Sequence, residues 1–176
     1  MKKGQFDQPF IIIFAMIVAI MILIFGFKVI LDLKERGDFT LLGDNVADLR
    51  DFARTYYNLE EGSAREIDLR VPGSINCFCF KDTNVPPSNS FNQNNILTEC
   101  NENQATFSQT MQNADEAYNL FVTPSNAFST TSFWIIEPTT LLVPPPSENP
   151  LCIQIQNSKF KAVIENKGSY VEIRPS

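Results

Sequence analysis

Residues Phe10–Phe27 read FIIIFAMIVAIMILIFGF, eighteen consecutive residues without a charge. As an α-helix this run reaches about 27 Å, and about 33 Å once Val29–Leu31 are added and Lys28 snorkels to the interface, enough for a bilayer core. Leu, Ile, Phe and Val near the middle each favour insertion by about 0.3–0.6 kcal/mol, and no charge opposes them. A core helix of a soluble protein would be polar along one face. A cleaved secretory signal would have a shorter apolar core followed by a small-x-small site, which Gly26-Phe27-Lys28-Val29-Ile30 does not offer. The run therefore predicts a transmembrane helix kept on the mature chain, with the lipid bilayer as its first partner. Ala15 and Ala19 lie four residues apart on it, a small-xxx-small pair against which a neighbouring helix could pack.

On the N-terminal side stand Lys2 and Lys3; on the other, Lys28, Lys34 and Arg36. With charges so evenly placed, the positive-inside rule does not set an orientation. Four cysteines and no histidine in a small membrane-attached domain fit an oxidising compartment instead. The expected topology is a cytoplasmic N-terminus, a single pass through the cell membrane and an extracellular C-terminal domain.

The chain beyond the span changes character. Pro9 suits the start of a helix, and Gly37 is expected to close it as a C-cap. Asp44 is then the N-cap of a second, amphipathic helix, with Val46, Leu49, Phe52, Ala53 and Tyr56 on one face and Gly62-Ser63 closing it. From Arg65 to Val71 charged and apolar residues alternate, a half-buried strand, and Pro72-Gly73 turns the chain into an apolar run, Ile75–Phe80. Further strands are predicted at Ala117–Val122, Ser132–Glu137, Leu151–Gln156, Phe160–Glu165 and Ser169–Arg174. Asn157-Ser158 and Lys167-Gly168 separate the last three, which suggests an antiparallel meander.

Two segments break the pattern. Asn84–Asn113 holds eight Asn and four Gln in thirty residues and reads as a long polar loop. Pro138–Pro150 holds five prolines and should be extended, crossing between parts of the sheet. The fold class expected is α+β: a transmembrane helix, one amphipathic helix, then a mostly antiparallel β domain of about six strands. Its divisions are 1–9, a cytoplasmic N-terminal signal segment; 10–36, the transmembrane helix with its extension; and 37–176, the extracytoplasmic domain.

Chemistry-bearing patterns are few. Without histidine there is no Ser-His-Asp or Cys-His nucleophile system and no His-containing metal site. The seven glycines form no phosphate-binding loop, and the adjacent Glu60-Glu61 do not face one another on a helix. No catalytic residue and no cofactor is expected. Beyond residue 37 lie nine of the fourteen basic residues and seventeen of the twenty acidic ones, a net charge of −8. Between Asp82 and Ser158 there is no Lys or Arg, which argues against nucleic acid as a partner.

The cysteines carry the sharpest geometric expectation. Cys77 and Cys79 flank Phe78 in a predicted strand, so they point to one face with Cα atoms nearly 7 Å apart, too far for a comfortable bond. Of three pairings two remain: 77–100 with 79–152, or 77–152 with 79–100. A four-cysteine zinc site would lack the usual knuckle spacing.

Lys2-Lys3-Gly4-Gln5, a charged tail ending in Gly-Gln immediately before the apolar run, resembles the class III signal segment of archaeal type IV pilin-like surface proteins. The resemblance covers about thirty residues. It implies a processing membrane peptidase that cuts between Gly4 and Gln5, leaving the helix as anchor or filament core, followed by a β-rich head. It also implies a homo-oligomer, or assembly with other pilin-like subunits. Where polymerising pilins often carry Glu, five residues into the mature chain, this sequence has Pro9, with Asp7 two residues earlier. The protein expected on these grounds is a non-catalytic structural subunit of a filament or envelope complex. The alternative is a stand-alone anchored binding or cell-adhesion module using the Asn-rich loop.

Overall fold

The computed structural model describes residues 7–83, 100, 104–114, 118–124, 133–134, 141–145 and 148–176. The signal residues Lys2, Lys3, Gly4 and Gln5 lie outside that set. The fold is α+β. Helix α1 (Asp7–Tyr57) is followed by β1 (Ala64–Arg70), β2 (Cys77–Phe80), α2 (Gln104–Asn113), β3 (Leu120–Thr123), β4 (Phe133–Trp134), β5 (Leu142–Val143), β6 (Leu151–Gln154), β7 (Lys159–Asn166) and β8 (Val171–Pro175). The chain divides into two compact units, Met1–Asp38 and Phe39–Ser176.

Helix α1 departs from the expected pair of helices. It carries on through Gly37 and Asp44, so neither acts as a cap. A glycine inside a helix costs only about 1 kcal/mol relative to alanine, too little to stop a helix driven by apolar residues on both sides. Pro9 sits in the first turn, where a missing N–H costs nothing. Within the second unit α1 buries the face anticipated from its periodicity, with Val46, Leu49 and Ala53 buried and Phe52 and Tyr56 partly so, and Leu42, one turn earlier, joins it.

The strands form two four-stranded sheets, ordered β1-β7-β8-β5 and β4-β3-β2-β6. All pairings are antiparallel except β5 with β8, which is parallel. Alternation sets what each face meets. On β7, Phe160, Ala162 and Ile164 are buried while Lys159 and Lys161 are exposed. The main core gathers Ile67 and Leu69 from β1, Phe78 and Phe80 from β2, Ile153 from β6 and Ile173 from β8 against the buried face of α1. Phe160 anchors it, its ring 4.9 Å from Phe78 and 6.1 Å from Phe80.

The expected C-terminal meander is only half realised. β7 and β8 pair as neighbours, but β6 belongs to the other sheet, against β2. Asn157 and Ser158 both take positive φ, 54° and 57°, as a two-residue hairpin turn requires. Gln156 and Lys159 exchange both backbone bonds, at 3.1 and 2.9 Å, and then the strands part. The expected polar loop also changes at its end: Gln104–Asn113 is α2, while 84–99 and 101–103 lie outside the described residues. In the proline-rich crossing, Leu142–Val143 adds a short strand that periodicity did not signal. Of the strand expected at Ser132–Glu137, Phe133–Trp134 is present as β4 and the rest falls outside the described residues.

Candidate functional site: an uncovered apolar helix and a cysteine-linked face

Among the described residues none covers the apolar segment. Its apolar side chains from Phe10 to Leu33 are all exposed, from 37% at Val18 to 73% at Phe10. They face every direction around the axis, so no single groove or partner face could satisfy them. This is a helix long and apolar enough to cross a membrane. Ala15 and Ala19 lie on it one turn apart, both exposed. Gly26 and Gly37 have open space where a side chain would stand.

In the second unit the chemistry concentrates on the face of β2 turned away from the main core. Phe78 and Phe80 point into that core, and Cys77 and Cys79 point the other way, as the strand period demands. Cys77 bonds Cys100 and Cys79 bonds Cys152, which selects one of the two pairings left open by the sequence. Cys79 and Cys152 are cross-strand partners in the β2–β6 register, with Cα atoms 4.0 Å apart. Cys100 lies four residues before α2, whose Phe107 and Met111, four residues apart and both buried, pack with the cysteines, Phe121 and Tyr118. Lys81, also buried, donates from Nζ to the carbonyl of Met111 at 3.1 Å, near the electronegative C-terminal end of α2. The sulfurs of Cys79, Cys100 and Cys152 lie within 4.8 Å of one another. Each is held in a disulfide, and a disulfide offers no thiolate to a metal ion.

Asn166 is a residue that sequence reasoning missed. At the end of β7 it is buried, and its Nδ2 donates to the carbonyls of Tyr56, Tyr57 and Leu59 at 2.8, 3.2 and 2.8 Å. Tyr56 and Tyr57 are the last two residues of α1, whose carbonyls lack partners within the helix, and Leu59 follows in the turn; the Tyr56 carbonyl also accepts from Leu59 N at 3.1 Å. Its Oδ1 accepts from Gly168 N at 2.6 Å, and Gly168, at φ 86°, holds the β7–β8 turn where an added Cβ would meet Glu61 at 3.4 Å. A single amide thus ties the end of α1 to the sheet.

On the half-buried outer face of the same hairpin, Glu165 accepts from Lys167 Nζ and from Arg174, each at 2.7 Å, and Lys167 also reaches Glu172 at 3.7 Å. The Lys167 hydrogen bond, more than the charges of Lys167 and Arg174, holds the Glu165 carboxyl below its ordinary pKa against the opposing effect of burial. The reciprocal bond to Glu165 raises Lys167. A lowered carboxyl stabilises the fold above its unfolded pKa, and that contribution is lost as pH falls through the folded value. A raised lysine contributes below its unfolded pKa, and loses that contribution as pH rises through the folded value. Glu165→Gln is therefore expected to flatten the stability profile in the acid range, measurable by thermal melts across pH, while leaving the neutral-pH fold intact.

No family model, curated protein or solved structure matches this chain.

Proposed function

We propose that the chain is a non-catalytic, single-pass surface protein: a pilin-like structural subunit whose N-terminal helix packs in a membrane or filament while its disulfide-linked β domain stands outside the cytoplasm. The observation that carries this reading is the apolar helix left uncovered on every side, joined to a domain with two disulfides and no free cysteine among the described residues. The tail ahead of it, Lys2-Lys3-Gly4-Gln5, supports trimming after Gly4 by a membrane peptidase. Pilin-like neighbours or further copies of the chain would then cover the helix, with Ala15 and Ala19 as a close-packing pair.

The anchor is tested by carbonate washing of native membranes. The full chain is expected to stay with the bilayer. Removing Phe10–Leu31 is expected to release a folded remainder, because every residue of the main core lies at or beyond Leu42. Extraction of the full chain by carbonate would overturn the anchor. Processing is tested separately. The native chain should begin at Gln5 and a Gly4→Leu variant at Met1, read by N-terminal sequencing; an untrimmed native chain would remove the pilin-like element while leaving the anchor. Microscopy of sheared surface material separates the filament subunit from the stand-alone adhesion module, since only the former places the chain in fibres.

A further inference from the structure

Among the described residues β6 is the edge of its sheet, and the ladder determines which of its backbone groups are used. Ile155 N donates to Asn76 O at 2.8 Å, and the same register sets Ile153 opposite Phe78 and Leu151 opposite Phe80. Hydrogen-bonded and non-hydrogen-bonded pairs alternate along antiparallel strands. Leu151, Ile153 and Ile155 therefore turn their N–H and C=O groups toward β2, and Cys152 and Gln154 turn theirs away. On that outer side the Gln156–Lys159 bridge begins a hairpin with β7 whose next rung would join Gln154 to Lys161. That rung is not made, because β7 spends its backbone groups on β1 and β8.

Where the two strands separate there is a groove of about 670 Å³, lined by Cys152, Gln154, Gln156, Lys159, Lys161 and Ser176 among others. None of its described lining residues carries a carboxylate side chain, in a chain whose net charge is −6. Lys159 bonds Asp68 at 3.1 Å; Lys161 makes no ion pair among the described residues.

We propose that this open edge is a docking site for an extended acidic peptide segment of another protein chain, added to β6 as a further strand. Backbone bonds to Gln154, the partly exposed residue of the two, would begin the attachment, with Cys152, 4% exposed, next along the strand. Lys159 and Lys161 stand two residues apart on one strand, a spacing of nearly 7 Å that matches carboxylates at alternate positions of an extended segment. They have one carboxylate between them, Asp68, which bonds Lys159 and stands opposite Lys161 in the β1–β7 register, so two lysines face a single acid. Docking of this kind is independent of filament assembly and of N-terminal processing.

The test uses the full chain in detergent and a fluorescein-labelled peptide, Thr-Glu-Val-Glu-Val-Glu-Thr, read by fluorescence anisotropy. The peptide is expected to bind, with an affinity about tenfold lower against Lys161→Glu. A peptide with Lys in place of each Glu should not bind. N-methylation at the valines and, in a second peptide, at the glutamates should abolish binding in one case only, since alternate residues of an added strand face β6. No binding, equal binding of the lysine peptide, or equal response to the two methylation patterns would each overturn the proposal. Those results would leave Lys159 and Lys161 as guards against edge pairing rather than a docking wall.

Discussion

Reduction of both disulfides is expected to cost the Phe39–Ser176 unit most of its stability, and the two bonds should fail differently. They join residues 23 and 73 positions apart. Loops of those lengths correspond to about 3.5 and about 4.5 kcal/mol of lost unfolded-state entropy, upper values because native strain and residual unfolded structure subtract from them. A typical domain has only about 5–15 kcal/mol in total. Losing the Cys79–Cys152 bond leaves the β2–β6 ladder in register, so the Cys79→Ala/Cys152→Ala variant should melt earlier but cooperatively. Losing Cys77–Cys100 removes the covalent hold on α2, which otherwise depends on Phe107, Met111 and the Lys81 bond to Met111. Hydrogen exchange should then show Gln104–Asn113 opening while β7 and β8 stay protected. Counting thiols under denaturing, non-reducing conditions should find none in protein taken gently from its source. Four reactive thiols would remove both the stability argument and the main support for an outside-facing domain.

How much of this could be read in the sequence follows the range of the interactions involved. The long apolar helix was legible because eighteen uncharged residues in a row are a property of the segment itself, independent of any neighbour. Arg65–Val71 was legible because its two-residue period shows directly in the alternation of charged and apolar residues, and the structure places β1 at Ala64–Arg70. The rejection of a Cys77–Cys79 bond needed only the pleat. The choice between the two remaining pairings needed to know that β6 lies beside β2, and alternation names a face without naming a neighbour. The same gap accounts for the meander: Asn157-Ser158 does make its hairpin turn, but Leu151 and Ile153 fill the β2 side of the core and draw β6 into the other sheet. α2 was hidden because, within QATFSQTMQN, Phe107 and Met111 are the only large apolar residues, too few for a periodic signal. Asn166 gave no signal at all. Its partners lie about 110 residues away along the chain, and an asparagine before Lys167-Gly168 reads as a turn residue.

Asn166→Asp is expected to be the most damaging single exchange in the domain, although it alters one atom of the side chain. The amide directs its N–H groups at the last two carbonyls of α1, Tyr56 and Tyr57, and at that of Leu59 just beyond it. An ionised carboxylate there meets those oxygens with no donor and stands at the negative end of the helix dipole, in a buried position. The combined loss should reach about 3–5 kcal/mol at neutral pH, against about 2–3 kcal/mol for Asn166→Ala, which removes the amide donor from the Tyr57 and Leu59 carbonyls but adds no charge. The two variants part in their pH dependence. Burial beside carbonyls raises the new carboxyl above the ordinary aspartate value of about 3.9. The folded state then holds its proton over a range where the unfolded chain has released it, so stability falls as pH rises through that window. Below it the protonated acid regains one donor for the helix end, and Asn166→Asp should approach or exceed Asn166→Ala in stability. Denaturant melts of both variants at pH 3.5 and pH 7 test this, with the wild-type chain as reference for its own acid-range loss at Glu165. A constant gap between the two variants across that interval would mean that the residue fills space at the helix end without donating to it.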